Sequence, residues 1–379
     1  MADKESDFID VGAVTDFADG EVTPASAGTR RLAVSRRGDE VAAISGICNH
    51  AGGPLGSGRL SGDFVVCPWH AWKFHRVTGV GEPGFEDDRV PAYPVRVANG
   101  RVLVDVANAS RRGRKPHEPH PLSRDHMTRQ DGPLRVAGIS TTAMNSSEPR
   151  YSGSEALLQH ALDHASNSGC ESRLIRLNDL KFRACEGYYS KSAHACTWPC
   201  TITQSDPTDE LTEVYEAMVH WADVVIIATP IRWGKASSLY FRMAERLNCV
   251  QNQITIANRV LINNKVASFI IIGGQDNVQG VAGDMLGYFA ELGFHFPPFP
   301  YIAHTEGWSA EDMERNVRTI KNSESLRRGA EQLAQRSIDL ATRLLATQSA
   351  PAVERGGRKA FDDRINSNRD VTNPNAGQI

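Results

Sequence analysis

No stretch of this 379-residue chain approaches the ~20 consecutive apolar residues of a bilayer-spanning helix, so no membrane segment is expected. Nor does one sign of charge prevail. Forty-two Lys and Arg stand against 45 Asp and Glu, a net charge of -3 at pH 7. That balance gives no field for bulk binding of nucleic acid or an anionic membrane. Met1 to Asp10 is acidic and polar, unlike a secretory leader, so a cytoplasmic setting is expected. There, seven cysteines are reduced thiols or metal ligands rather than a disulfide framework. The chain also lacks an internal repeat and a Walker phosphate motif. What remains is a globular composition, 40% hydrophobic with 32 Gly, in a chain long enough for two or three domains.

Three regimes follow one another. Residues 1–107 are short apolar runs broken by Gly, Asp-Gly and Pro, the pattern of an all-β domain. Residues 108–133 carry Arg111-Arg112-Gly113-Arg114-Lys115 with several His and Pro, and read as a solvated linker. From Leu134 to residue 347, strand-like and helical runs alternate. Strands are expected at Leu134 to Ile139, Ser172 to Leu177, Asp223 to Ala228, Val266 to Ile272 and around Tyr301. Helices are expected at Ser154 to Ala165, Asp209 to Trp221, Ser237 to Leu247, Val281 to Leu292 and, with a break, Ser309 to Leu345. Such alternation predicts a five-stranded parallel sheet covered on both faces. Residues 348–379 are polar and read as a disordered tail.

Cys48-Asn49-His50 and Cys67-Pro68-Trp69-His70 each place one thiol and one imidazole in a Gly- and Pro-rich loop. Four such ligands can enclose a metal centre, and zinc would also accept them. The pair of motifs resembles the Rieske family, whose [2Fe–2S] cluster has one iron on two Cys and the other on two His. The resemblance covers most of residues 1–107, through Trp72-Lys73-Phe74 and Thr78-Gly79. It implies that Cys48 and Cys67 hold one iron, and His50 and His70 the other, more exposed one. Gly53 and Trp69 stand where high-potential members have a disulfide, and Ala71-Trp72 stands where they have a Ser donating to sulfide. Fewer hydrogen bonds to cluster sulfur predict the low-potential, ferredoxin or oxygenase type. His75 replaces a common Asp or Asn and is given no ligand role. Oxygenase chemistry would need a second iron on two His and a carboxylate. His160 and His164 share a helix face but have no carboxylate partner there.

In the second half, a strand runs into Ser140, and Ser152-Gly153-Ser154-Glu155 opens the next helix. Hydroxyls and free N–H groups at a helix N-terminus suit a phosphate monoester, although an ordinary N-cap gives the same letters. Thr229-Pro230-Ile231-Arg232-Trp233-Gly234 ends the third strand, and Gly273-Gly274-Gln275 ends the fourth. The first of these resembles the loop bordering the isoalloxazine in NAD(P)H-dependent FMN reductases and iron–sulfur flavoproteins. That resemblance covers roughly 134–345 and implies a flavodoxin-like domain binding FMN. Arg232 stands where an aromatic is common, so either ring stacking passes to Trp233 or Arg232 stabilises the reduced, anionic flavin. Asn178 to Cys185 resembles the start of the iron–sulfur flavoprotein cysteine motif, but Tyr188 replaces one of its cysteines. Cys185, Cys196 and Cys200 fall short of the four thiolates of a [4Fe–4S] cluster, so no second cluster is expected.

The resemblances together imply an all-β Rieske domain followed by an α/β flavodoxin-like, doubly wound domain. Nicotinamide gives two electrons and a Rieske cluster takes one; a flavin can accept the pair and pass on single electrons. An NAD(P)H-dependent oxidoreductase with an unidentified small-molecule or protein acceptor is expected, working as a dimer or tetramer by resemblance. No catalytic residue and no dedicated nicotinamide motif can be named. The other reading is a non-catalytic electron carrier or redox sensor served by a separate reductase.

Overall fold

The computed structural model describes residues 8–113, 120–123, 132–190, 193–273, 277–307 and 309–347. The expected tail, and Gly274 and Gln275 of the third loop, lie outside the described residues. The chain divides into two compact units: residues 1–123 with 185–197, and residues 124–184 with 198–379.

The first unit is built from β1 (Phe8–Ala13), β2 (Val22–Ala27), β3 (Arg30–Arg37), β4 (Glu40–Ser45), β5 (Arg59–Ser61), β6 (Phe64–Val66), β7 (Lys73–His75), β8 (Ala92–Tyr93), β9 (Val95–Ala98) and β10 (Arg101–Asp105). They form three antiparallel sheets, ordered β1-β10-β9, β2-β3-β4-β8 and β5-β6-β7. Strand β3 explains the layering. Its side chains alternate, so Leu32 and Val34 meet Val102 and Val104, while Ala33 on the opposite face meets Val65 and Phe74. The middle sheet is thus buried on both faces. Cys48 and Cys67 sit in that second apolar layer.

The second unit has β11 (Arg135–Ser140), β12 (Glu171–Arg176), β13 (Val224–Pro230), β14 (Val266–Gly273) and β15 (Tyr301–Thr305), all parallel, in the order β12-β11-β13-β14-β15. This is the flavodoxin-like order, which reverses direction between β11 and β13. The helices are α1 (Gly153–Asn167), α2 (Thr201–Ser205), α3 (Thr212–Tyr215), α4 (Ser238–Arg246), α5 (Asn248–Ala257), α6 (Val278–Leu292), α7 (Ala310–Asn322) and α8 (Glu324–Ala346). On one face α1 and α8 pack Leu158, Leu162, Leu333 and Ile338 against Val224, Ile226 and Ile270. On the other, Phe289 of α6 meets Phe269 edge to face at 5.5 Å. Ser323 breaks the long terminal helix by capping α8, its hydroxyl accepting from the N–H of Leu326.

Three local differences from expectation have physical causes. The helix expected over Asp209 to Trp221 is α3 followed by a π-helical stretch, Glu216–Trp221, one residue per turn too wide for a plain stripe. Helix α5 follows α4 after Leu247 alone; its Asn, Gln and Thr disguise it as loop. The basic run is not wholly a solvated linker. Residues 108–113 bond to the first unit, with Arg89 and Gly113 exchanging backbone hydrogen bonds of 2.8 and 3.1 Å.

Candidate functional site

The two Cys/His loops of the first unit share one backbone plan. Cys48 donates its N–H to the Gly53 carbonyl (2.9 Å), and its own carbonyl accepts from Gly52 (3.2 Å). Cys67 donates to the Trp72 carbonyl (2.7 Å) and accepts from Ala71 (3.0 Å). In both, the residue four after the Cys is left-handed: Gly52 at φ 77° and Ala71 at φ 59°. The plan folds each loop back so that its thiol points to the other. A Cβ added to Gly53 would lie 2.8 Å from the Cys67 Sγ, so only glycine allows that approach.

The ligand pairs meet like with like. Cys48 and Cys67 are 3% and 2% exposed, and the hydrogen bond between them, with burial, pushes the Cys48 thiol up. Backbone groups of His50 and Ala51 oppose this by bonding to the Cys48 sulfur. The rings of His50 and His70 lie edge to face with centroids 4.4 Å apart. Burial, then the neighbouring His50, lower His70 to about 4, so its imidazole is neutral and keeps a lone pair for a metal. The Nε2 of His70 is buried without a hydrogen-bond partner. Two thiols on one side and two imidazoles on the other are the donor set of a binuclear iron cluster.

Asn49 and Arg112 hold the first loop. Asn49 donates through Nδ2 to the carbonyls of Arg89 (3.0 Å) and Gly113 (2.6 Å). Arg112 donates to the Asn49 Oδ1, to Ser45 Oγ (3.0 Å) and to the Ile47 carbonyl (3.2 Å). His75 is half-buried. Its Nδ1 accepts from the N–H groups of Val77 and Thr78, both 3.3 Å, closing the turn as an Asp or Asn oxygen would.

In the second unit, hydroxyls gather where β11 meets α1, at the reversal point of the sheet. Thr142 Oγ1 lies 2.8 Å from Ser152 Oγ and 3.1 Å from Ser154 Oγ; the two serines are 3.3 Å apart. Ser152 is also the N-cap, accepting from Glu155 N–H at 3.2 Å. The capping and phosphate readings thus coexist. Three hydroxyls at the N-terminus of a 15-residue helix suit a phosphate. Ser140 is not among them: its hydroxyl donates to Glu155 Oε2 (2.7 Å), and Glu155 is paired with Arg176 (2.7 Å). A cleft of about 540 Å³ opens beside the trio, lined also by Arg150, Asn178 and Asp179. A Cβ at Gly153 would meet the end of the Ile320 side chain at 2.6 Å, so that side chain would have to shift.

The loop after β13 ends in a tight turn. Arg232 N–H donates to the Lys235 carbonyl (2.7 Å), and Trp233 and Gly234 both have positive φ, 51° and 68°. A left-handed tryptophan is strained, and it stands 91% exposed at the tip. Asn277 pins the turn, donating to the Gly234 carbonyl at 2.7 Å. Thr229 faces inward, accepting from the Ser237 N–H (3.1 Å), while Ser237 Oγ donates to the Thr141 carbonyl (2.6 Å). Ile231 bonds to the Ile272 carbonyl (2.9 Å), and a Cβ on Gly273 would meet Ile231 at 2.6 Å. Thr229 and Gly273 therefore shape the loops, while Pro230 ends β13 and Arg232 is exposed. The hydroxyl trio and the presented tryptophan fit a flavin phosphate and ring. Thr142 was legible only as the last of three consecutive hydroxyl residues, Ser140-Thr141-Thr142, that begin at the end of β11.

Cys185 is exposed and Cys196 half-buried in the first unit, whereas Cys200 is buried in the second. Cys200 accepts from Arg246 Nε at 3.3 Å and bonds to Cys249. Arg246, fully buried, is also paired with Asp209 at 2.6 Å. His164, one of the two helical histidines, bonds to Gln335 of α8 at 2.9 Å. Among the described residues no helix is long and apolar enough to cross a membrane.

Comparison with known proteins gives two matches in sequence order. The Rieske [2Fe-2S] domain profile matches residues 7–94, and the NADPH-dependent FMN reductase profile matches residues 139–309. The anthranilate 1,2-dioxygenase ferredoxin subunit of Burkholderia cepacia is 32% identical over 96 residues, 25% of this chain and 89% of that protein. The 8-demethyl-8-aminoriboflavin-5'-phosphate synthase of Streptomyces davaonensis is 24% identical over 172 residues, 44% of this chain and 61% of that one. An iron-sulfur flavoprotein of Methanocaldococcus jannaschii is 27% identical over 146 residues, 38% of this chain and 64% of its own length. The chain thus spans less than two thirds of these last two relatives.

Proposed function

The chain belongs to two families at once, a Rieske [2Fe-2S] domain followed by an NADPH-dependent FMN reductase domain, and from that premise we propose an NAD(P)H-dependent flavin oxidoreductase that moves electrons between FMN and a [2Fe–2S] cluster. Cys48 and Cys67 would hold one iron, and His50 and His70 the other. The observation that carries this reading is the pairing of thiol with thiol and imidazole with imidazole by two loops of one backbone plan. When bound, FMN supplies the step between a two-electron donor and a one-electron acceptor.

The chain's own residues set the conditions. Burial keeps His70 neutral, and backbone bonds to the Cys48 sulfur favour the thiolate. Thr142, Ser152 and Ser154 would orient the flavin phosphate, and Trp233 would flank the ring.

Anaerobic stopped-flow with NADH and with NADPH tests the proposal, recording flavin and cluster bands together. Flavin bleaching followed by cluster reduction is expected, with about two irons per chain, the number a [2Fe–2S] cluster holds. No bleaching without a second protein would make the chain an electron carrier and overturn the reductase reading. One relative is a synthase of a modified riboflavin phosphate. The mass of the flavin after turnover should be unchanged if FMN is a cofactor here.

A further inference from the structure

The two imidazoles are not equally open. His50 is half-buried, while His70 is only 6% exposed. The difference traces to residues 185–197, which lie in sequence between β12 and α2 yet belong to the first unit. Tyr188 begins a short turn, Tyr188–Ser190, and stacks on the His70 ring, centroids 6.5 Å apart and planes 21° from parallel. A second turn, Ala193–Ala195, brings the fully buried Ala195 against the same residue, its backbone bonding to the His70 ring. His50 has a different neighbour, Trp72 of its own domain, stacked at 4.9 Å and 8°. Ala51 and Gly52, next to His50, are exposed.

We infer that Tyr188 and Ala195 cover His70, so that an outside redox protein exchanges electrons with the cluster through His50. The inference rests on the proposed ligation of the cluster by Cys48, His50, Cys67 and His70. The two imidazoles are the ligands closest to the surface. A tyrosine ring and a peptide laid over one of them hold any partner farther away on that side, and they exclude water from it. At Ala51 and Gly52, which are exposed, a partner reaches the half-buried His50 even though Trp72 stacks on its ring. One electron crosses in either direction, and no bond forms or breaks. The Tyr at position 188, a departure from the cysteine motif, thereby gains a role: a cysteine cannot cover an imidazole ring as a phenol does.

Hydroxyl-radical footprinting of the iron-loaded protein, read by mass spectrometry, tests the cover directly. His50 should be labelled severalfold faster than His70. Tyr188→Ala should raise labelling of His70 severalfold and leave His50 unchanged, while Tyr188→Phe should keep the native pattern. Equal labelling in the native protein, or no response to Tyr188→Ala, would overturn the inference. The route is tested by stopped-flow oxidation of the reduced protein with soluble cytochrome c. Ala51→Trp should slow that exchange about tenfold, and an unchanged rate would overturn it. An iron count on each sample separates this result from the ligation reading: without iron the ligation fails, whereas the labelling contrast still reports on the cover.

Discussion

Arg112 donates through its guanidinium to the side-chain oxygen of Asn49, the residue between Cys48 and His50. A cation from a run that reads as linker thus fixes the loop that carries half of the proposed ligands. The same fork reaches Ser45 Oγ and the Ile47 carbonyl, one bond on each side of the loop's start. Removing it leaves three acceptors to find water or strain. Arg112→Ala should lower the stability of the first unit by about 2 kcal/mol. Iron per chain and the denaturation midpoint should both fall. Arg112→Lys should recover little, because an ammonium cannot reproduce the planar fork. Native iron content in the alanine variant would refute this role.

The shared backbone plan makes opposite predictions for two neighbouring substitutions. Ala71 is held at φ 59°, a conformation that costs an L-residue about 1–2 kcal/mol. Ala71→Gly should therefore raise stability by about 0.5–1 kcal/mol after the entropy of glycine in the unfolded chain is subtracted. Gly53→Ala should do the reverse and abolish the visible cluster bands, since its methyl would stand 2.8 Å from the Cys67 Sγ. FMN content should be unaffected in both. Absorption spectra with iron assay decide, and a fully loaded Gly53→Ala protein would sink the argument.

For the flavin phosphate, hydroxyls that look alike in sequence should behave differently. Thr142→Val removes the centre of the trio and should weaken FMN binding about tenfold to a hundredfold, the worth of one hydrogen bond to a charged group. Ser140→Ala removes only a bond to Glu155 and should change the FMN affinity less than threefold. Fluorescence titration of the apoprotein measures both. Equal losses would place Ser140 on the phosphate instead.

A fourth expectation concerns pH. The hydrogen bond from Cys249, then the charge of Arg246, lower the Cys200 thiol to about 6, despite burial. An unfolded chain keeps that thiol protonated up to about pH 8.5. The folded protein therefore binds fewer protons between these values, and stability rises with pH across the window. The contribution is complete above about pH 9 and is lost as pH falls through 6. Urea midpoints of the native protein and of Cys200→Ser should diverge from pH 6 to pH 9. A constant difference would show that Cys200 is not a thiolate.

Much of this was legible from residue order, for reasons that differ by element. Val224 to Ile227, and Val266 to Ile272 apart from Ser268, are apolar because both faces of a central parallel strand are covered, so they read as strands with ends shifted by at most two residues. The two Cys/His motifs are local in sequence and needed no fold to be seen. Arg112, Thr142 and Ser237 were not singled out because their roles arise from partners far away: Asn49, Ser154 and Thr141. Nothing in the letters of 185–197 tells that they leave the flavodoxin-like unit to pack beside His70. Tyr188 reads only as a missing cysteine until its ring is seen on the imidazole.

Helix α8 covers Ile270 and Val224 from the last part of the described chain. On a ribosome it is made after every strand of the sheet, so β13 and β14 exist as long apolar segments before this part of their cover does. Segments such as Val224–Ile227 and Phe269–Ile272 have the β-branched, uncharged character that pairs with copies of itself. A chain ending at Asn322 would leave that face with α1 and α7 but without α8, its apolar residues partly bare, and is expected to collect in inclusion bodies. Helix α8 is thus the protein's protection against self-association as much as a part of its core, and any fusion or tag is better placed beyond Ala346 than within the helix.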